Sequence, residues 1–126
     1  MASRIRSYDF HTYFNGSDKK ETEFCLKFRD LVAAEFAEEL ASGKIHIEEP
    51  WNRPIGPHPI NMWELDTAGV YDPALVGRLI GFYQLNHGKL SVLIHPRTSD
   101  GDLKDHTEYA LWLGHKQRLM TDIFTD

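Results

Sequence analysis

The chain has 126 residues, 41% hydrophobic and 26% charged, a composition typical of one globular domain over residues 1–126. Its formal net charge of −5 argues against nucleic acid or an anionic membrane surface as the main partner. The sequence shows neither an apolar run that could span a membrane nor the apolar segment of a secretory signal. Because Cys25 is the only cysteine, a disulfide within the chain is excluded, and we expect a cytoplasmic protein.

Histidine is the residue type that points to chemistry. Seven are present, at positions 11, 46, 58, 87, 95, 106 and 115. With a single cysteine, a transition-metal site would have to be built from imidazole and carboxylate groups. Such a ligand set suits iron(II), zinc, manganese or copper.

The first predicted element is a strand over residues 5–14. Tyr8, Phe10 and Phe14 alternate onto one face, which we interpret as the core face, and His11 falls on the other. Asp18, with Glu21 three residues later, forms a capping box that opens a helix of about 24 residues.

The middle of the chain predicts a second strand, a rigid loop and a third strand. Residues 44–49 alternate as a half-buried strand does, after Gly43 has ended the helix. Residues 50–59 contain four prolines, so they form an ordered loop. Residues 60–66 resume as a strand.

The last predicted elements are a helix, a strand and a tail, which complete the order of the predicted fold. Asp72 and Pro73 begin a helix that ends at Gly88, residues 90–94 form a strong strand, and the tail shows a short helical pattern around residues 111–113. The order βαββαβ with a C-terminal tail predicts an α+β, ferredoxin-like sandwich with both helices on one sheet face. The open face is then a site, a dimer interface or both, and we expect a homodimer.

Four of the seven histidines lie at positions that suggest no evident structural role for an imidazole. His11 is on the open sheet face, His58 precedes the third strand, His95 ends the fourth, and His106 lies in the tail. If the third strand runs parallel to the first and the fourth antiparallel, His58 and His95 meet at one sheet edge, roughly 10 Å apart. Each histidine taken alone is best interpreted as a turn residue at a strand end, but the four together favour a functional site.

The remaining candidates are weaker. Glu64 shares the parity of His58 and could complete a two-histidine, one-carboxylate metal site, although such an acid is more often solvated. Trp51 could line a pocket beside the proline-rich loop, although tryptophans are more often packing residues. His46, His87 and His115 are interpreted as surface histidines.

Four sequence blocks together resemble the DOPA 4,5-dioxygenase family. They are YDFHTYF at 8–14, PIGPHP at 54–59, LSVLIHP at 90–96, and DHT at 105–107 followed by WLG at 112–114. The resemblance implies a ferredoxin-like, usually dimeric fold and extradiol cleavage of a catechol ring with O₂, dependent on ferrous iron, Fe(II). The family's motif histidines map onto positions 11, 58, 95 and 106.

From this resemblance we expect His11, His58 and His95 to bind the metal and His106 to act as the acid–base group. The substrate would be L-DOPA or a related catechol, and the product a muconic semialdehyde of the seco-DOPA type. Two alternatives remain open: a non-enzymatic dimer of this fold that binds an aromatic ligand or a partner, and a zinc-dependent hydrolase or isomerase at the same histidines.

Overall fold

A computed structural model describes residues 4–51 and 53–126. Within them lies a five-stranded antiparallel sheet in the order β2-β3-β1-β4-β5. The elements in chain order are β1 Ser7–Phe14, α1 Lys19–Glu35, α2 Ala37–Ala41, β2 His46–Ile47, β3 Asn61–Asp66, α3 Pro73–Asn86, β4 Val92–Arg97, α4 Asp102–His106, β5 Leu111–Leu113 and a 3₁₀ turn Thr121–Ile123. The first seven of these, with α1 and α2 in place of one long helix, confirm the predicted ferredoxin-like order.

The core lies between the sheet and the long helices, and strand alternation determines which residues enter it. The buried cluster takes alternate residues from β1, β3 and β4 and packs them against the apolar stripes of α1 and α3. Its strand members are Phe10, Phe14, Trp63, Leu65, Val92 and Ile94. The predicted core face of β1 is thereby confirmed, and the odd-numbered residues of β1, His11 among them, lie on the opposite face.

The helix starts follow the predicted caps. The side chain of Asp18 accepts a hydrogen bond from the amide of Glu21, and that of Asp72 accepts from Ala74 and Leu75. The expected single helix of about 24 residues is interrupted at Phe36, whose backbone (φ −109°, ψ 33°) leaves the helical region.

The expected parallel pairing of the first and third strands is wrong. Both β3 and β4 run antiparallel to β1, with Phe14 opposite Asn61 and Asp9 opposite His95. The start of β3 and the end of β4 therefore lie at opposite ends of the sheet. This follows from the split βαβ unit, in which the strand inserted between two parallel strands is antiparallel to both.

The expected helical pattern around residues 111–113 is also wrong. Leu111–Leu113 forms β5, which pairs with β4, while the short helix α4 lies earlier in the tail. Gly114 then turns the chain with φ +70°, and a Cβ there would stand 2.8 Å from the carbonyl oxygen of Leu90. Glycine permits both the positive φ and this close approach.

The open sheet face is partly covered by the chain itself. The segment 53–60 and the tail lie over it, joined where the amide of Met120 donates to the carbonyl of Pro57. A second apolar cluster forms beneath them around Tyr13, Met62 and Leu93. The homodimer stays a prediction. None of the helices within 4–51 and 53–126 has the length and apolarity needed to cross a membrane.

Candidate metal centre and substrate cleft

The candidate site lies on the open face of the sheet, and the pairing of β1 with β3 and β4 determines which residues lie side by side there. On β1, His11 lies opposite Glu64 of β3 and Leu93 of β4, and Asp9 lies opposite His95. These residues share the face away from the helices because strand side chains alternate. β1 is the central strand, so its side chains on this face are almost fully buried: His11 is 3% exposed and Asp9 3%.

The four singled-out histidines meet in one cluster. The His11 ring centroid lies 4.3 Å from that of His58, 5.1 Å from that of His95 and 6.3 Å from that of His106. The rings of His95 and His106 are 3.9 Å apart. Four buried imidazoles with ring centroids 3.9–6.3 Å from their neighbours are more polar groups than apolar packing requires in one place.

Two groups within the cluster have the spacing of metal ligands. His11, His58 and His106 each offer one nitrogen, and all these atoms lie within 4.8 Å of one another. Asp9, His11 and His95 form a second such group. The expected trio of His11, His58 and His95 does not appear as a group among the described residues, although its members are neighbours.

Outer contacts hold three of the rings by their Nδ1 atoms. Nδ1 of His95 donates to the carbonyl of Pro96 (2.9 Å), and Nδ1 of His106 donates to the carbonyl of Asp102 (2.7 Å). Nδ1 of His58 shares a hydrogen bond of 2.6 Å with the Tyr13 hydroxyl. In His58 and His106, Nε2 is the nitrogen left for a metal, whereas Nε2 of His95 lies 3.1 Å from Nε2 of His11. Metal-binding histidines in proteins are commonly oriented through the other nitrogen in this way.

Burial keeps the imidazoles of His11, His58 and His95 neutral. Loss of solvation, and after it the proximity of His106, lowers the pKa of His58 to about 4 and that of His95 to about 3. Burial likewise lowers the pKa of His11 well below its ordinary value. Neutral imidazole is the form that binds a metal, so these rings need no deprotonation at physiological pH.

The cluster opens into a cleft of about 250 Å³. Its walls include three of the histidines and side chains of the proline-rich loop, β3 and the tail: His11, His58, His106, Trp51, Ile55, Pro57, Met62, Glu64, Arg97, Asp102 and Phe124. His95, with 0% exposure, does not line it and lies behind His11. Trp51, for which packing was the favoured interpretation and pocket lining the alternative, lines the cleft. The cleft's size, at the lower end for ligand pockets, suits a single aromatic ring.

Glu64 is the acid of the cleft. Burial, together with the nearby carboxylates of Asp9 and Asp66, raises its pKa to about 7. Among the described residues it belongs to neither ligand group. A carboxyl group with this pKa can exchange protons near neutral pH.

Asp9 and Arg97 form an ion pair beside the histidine cluster. Arg97 donates two hydrogen bonds to Oδ2 of Asp9, at 3.0 and 2.7 Å, and the same oxygen lies 3.8 Å from Nε2 of His95. The Asp9 side chain is 4% exposed and that of Arg97 48%. Burial raises the pKa of Asp9, and the guanidinium of Arg97 opposes that rise.

Replacing Arg97 should therefore destabilise the protein. In Arg97→Ala, the carboxylate of Asp9 stays buried without its cation, at a cost of about 2 kcal/mol, below the 3–5 kcal/mol typical of fully buried pairs because Arg97 is half exposed. Urea unfolding measures the loss. Arg78→Ala, which removes a partly exposed pair with Glu39 and the stacking of the guanidinium on Phe36, is the matched comparison and should cost clearly less. Equal effects of the two substitutions would contradict the buried role of the Asp9–Arg97 pair.

Several parts of the site were not singled out from the sequence. Tyr13 lies within the block at 8–14 but was assigned no role, and Arg97 and Phe124, whose ring lies 4.8 Å from that of His106, lie outside the four blocks. Because side chains alternate along β1, Tyr13 lies on the same sheet face as His11, so Tyr13 could have been identified from the sequence. The other two depend on where the end of β4 and the tail are placed in space.

The three histidines interpreted as surface residues, and the single cysteine, lie outside the histidine cluster. His46 contacts Asp66 at an exposed position, His87 donates to the carbonyl of Leu90, and His115 is exposed. Cys25 is buried in the opposite core, where burial raises the pKa of its thiol to about 12. A thiolate ligand or nucleophile is thereby excluded for this residue.

The fold and the histidine cluster define a candidate metal-binding enzyme on a ferredoxin-like scaffold. Residues 8–123 match the sequence model of the Dopa 4,5-dioxygenase family. The chain belongs to this family, and the resemblance drawn from its motifs is confirmed.

Individual relatives agree with this membership. An uncharacterized 21.2 kDa protein of Botryotinia fuckeliana is 33% identical over 92% of the chain, and a DOPA 4,5-dioxygenase of Amanita muscaria is 28% identical over 90%. The chain spans 62% and 47% of the lengths of these two proteins. A crystal structure of a proposed dioxygenase from Nostoc punctiforme matches with a TM-score of 0.67 and 26% identity, over 92% of this chain and 88% of that one.

Proposed function

We propose that the protein is a non-haem iron(II) dioxygenase that opens the ring of L-DOPA or a related catechol by extradiol cleavage. The observation that carries this proposal is the buried cluster of imidazoles with ligand spacing at the base of a ring-sized cleft. The product would be a muconic semialdehyde of the seco-DOPA type. Family membership supports the reaction class, and the Amanita muscaria relative supports DOPA as the first substrate to test.

The donor set fits a divalent transition metal. The cleft-facing group of His11, His58 and His106 supplies three nitrogen ligands without a thiolate, a set suited to Fe(II). These three would hold the metal, so His106 takes the ligand role first expected for His95. When bound, ferrous iron would accept the two oxygens of a catecholate and bring O₂ beside them.

The cleft walls would orient the substrate. Apolar side chains at Trp51, Ile55 and Phe124 can contact an aromatic ring, while the guanidinium of Arg97 is bound to the carboxylates of Asp9 and Asp102.

Glu64 would act as the acid–base group. Because burial raises its pKa to about 7, it can accept the proton of a substrate hydroxyl and return a proton to the opened product. Glu64→Gln should lower kcat by about 100-fold or more while metal affinity is unchanged. Glu49→Gln, at an exposed carboxylate, is the matched control. A loss of metal affinity in Glu64→Gln would instead assign Glu64 as a ligand.

The experiment that tests the proposal is oxygen consumption by protein reconstituted anaerobically with ferrous iron. Uptake with L-DOPA or a simple catechol, with a yellow product, is the expected result. An aromatic-binding module would bind the catechol without uptake, and a zinc hydrolase or isomerase would act without oxygen. Either result, obtained with stoichiometric metal, would contradict the proposal.

A further inference from the structure

His11 and His95 form a pair of buried imidazoles whose contact restricts where their protons lie. Their Nε2 atoms are 3.1 Å apart. His11 is 3% and His95 0% exposed, so water does not readily replace either partner. A hydrogen bond at this distance needs one Nε2 to carry a proton and the other to present a lone pair.

The outer contact of His95 determines which ring donates. A carbonyl oxygen only accepts, so the 2.9 Å contact from Nδ1 of His95 to Pro96 places the His95 proton on Nδ1. In the neutral ring, Nε2 of His95 is then an acceptor. His11 must donate to it from Nε2, which leaves Nδ1 of His11 unprotonated.

Nδ1 of His11 is the unexplained atom of the cluster. It is buried and has no hydrogen-bond partner among the described residues. A buried nitrogen lone pair without a partner carries a desolvation cost that a metal ion would offset. The His11 ring also belongs to the cleft-facing group with His58 and His106, whereas His95 does not line the cleft.

We infer that His95 is a positioning residue: it accepts a hydrogen bond from Nε2–H of His11 and so presents Nδ1 of His11 to the metal. The carbonyl of Pro96, His95 and His11 form a chain of two hydrogen bonds that fixes the tautomer of the inner ligand. The metal site would then combine Nδ1 of His11 with Nε2 of His58 and of His106. This inference rests on the proposed metal site and assigns His95 a role outside the ligand set.

The alternative is that both Nε2 atoms bind the metal. Two nitrogens 3.1 Å apart are also compatible with adjacent positions around one ion, and Asp9, His11 and His95 have ligand spacing. That arrangement leaves Nδ1 of His11 buried without a partner even when metal is bound. The two arrangements predict different protonated nitrogens, so they can be distinguished before any metal is added.

The test is nitrogen-15 NMR of the histidine rings in the metal-free protein, followed by titration with zinc as a diamagnetic probe. We expect His11 with its proton on Nε2 and His95 with its proton on Nδ1. Zinc should then shift Nδ1 of His11 and leave Nε2 of His95 as an acceptor. A proton on Nδ1 of His11, or zinc-induced shifts at Nε2 of both rings, would overturn the inference.

Two substitutions give an independent readout. His95→Leu fills the buried volume but removes the acceptor, so zinc affinity should fall by about 10–100-fold, the range typical of outer contacts to a ligand, with one ion still bound. His95→Gln keeps an acceptor oxygen and should regain much of the loss. Equal loss of stoichiometric binding in both variants would assign His95 as a ligand. The expected tautomers without any metal binding would contradict the proposed function instead.

Discussion

Replacing either His58 or His106 with alanine should abolish metal binding and oxygen uptake together. Both rings belong to the cleft-facing ligand group, and both are held by a hydrogen bond to the opposite nitrogen. Removal of an outer contact commonly costs about 10–100-fold in affinity, so loss of a ligand itself should exceed about 100-fold. Zinc and ferrous iron titrations measure the binding, and an oxygen electrode measures the activity.

His115→Ala provides the matched control for these variants. His115 is exposed in the tail, away from the cluster, so its loss should leave metal stoichiometry and oxygen uptake unchanged. Far-UV circular dichroism confirms that each variant keeps its fold. Full metal binding by a folded His58→Ala or His106→Ala protein would remove that histidine from the ligand set.

The metal-free protein should lose stability steeply as the pH falls below about 6.5. The pKa of His58 is lowered to about 4 and that of His95 to about 3, and that of His11 is also well below normal. In the unfolded chain these rings return to about 6.5 and take up protons that the folded protein cannot bind. Unfolding therefore absorbs protons in this range, and acid favours it.

Two carboxyl groups act in the opposite direction. The pKa of Glu64 is raised to about 7 and that of Asp9 is also raised, so the folded protein binds their protons more readily than the unfolded chain does. Subtracting them from the three histidines leaves a net uptake of between one and two protons near pH 5.5. The free energy of unfolding should then fall by roughly 1.5–2.5 kcal/mol per pH unit.

Urea unfolding of metal-free protein at pH values between 4.5 and 7 measures this slope. His95→Leu should reduce it by about one proton, or about 1.4 kcal/mol per pH unit, whereas His115→Ala should not change it. A free energy of unfolding that stays level or rises on acidification would show that the cluster is not held neutral.

The sheet and its faces could be predicted from the sequence because period-two alternation is a local property. Phe10 and Phe14 identify the core side of β1 and thereby place His11 on the other side. Helix starts at Asp18 and Asp72 were equally readable from their caps. The break at Phe36 was not, because the buried stripe of Phe28, Val32 and Phe36 keeps its helical spacing up to the interruption.

The meeting of the four histidines was expected for a partly incorrect reason. His58 does not reach the cluster along a shared sheet edge, since the start of β3 lies at the other end of the sheet from His95. It arrives because residues 53–60 turn back across the open face, where Tyr13 and the amide of Met120 hold them. Such contacts join residues far apart in the sequence, and local patterns do not encode them.

The tail could not be assigned for a similar reason. Three apolar residues in a row, Leu111–Leu113, are compatible with either a helix turn or a strand. Their conformation is decided by pairing with the free edge of β4. That pairing also directs the following chain back to the cleft, where Phe124 contacts His106.

The central claim, that the histidine cluster supports insertion of O₂ into a catechol, is tested most directly by isotope labelling. Iron-reconstituted protein would be incubated with L-DOPA or catechol under ¹⁸O₂, and the product analysed at once by mass spectrometry. Ring cleavage by a dioxygenase predicts that both oxygen atoms come from one O₂ molecule, including one in a readily exchanged aldehyde. A product that contains no label, or that forms equally well without oxygen, would contradict the account.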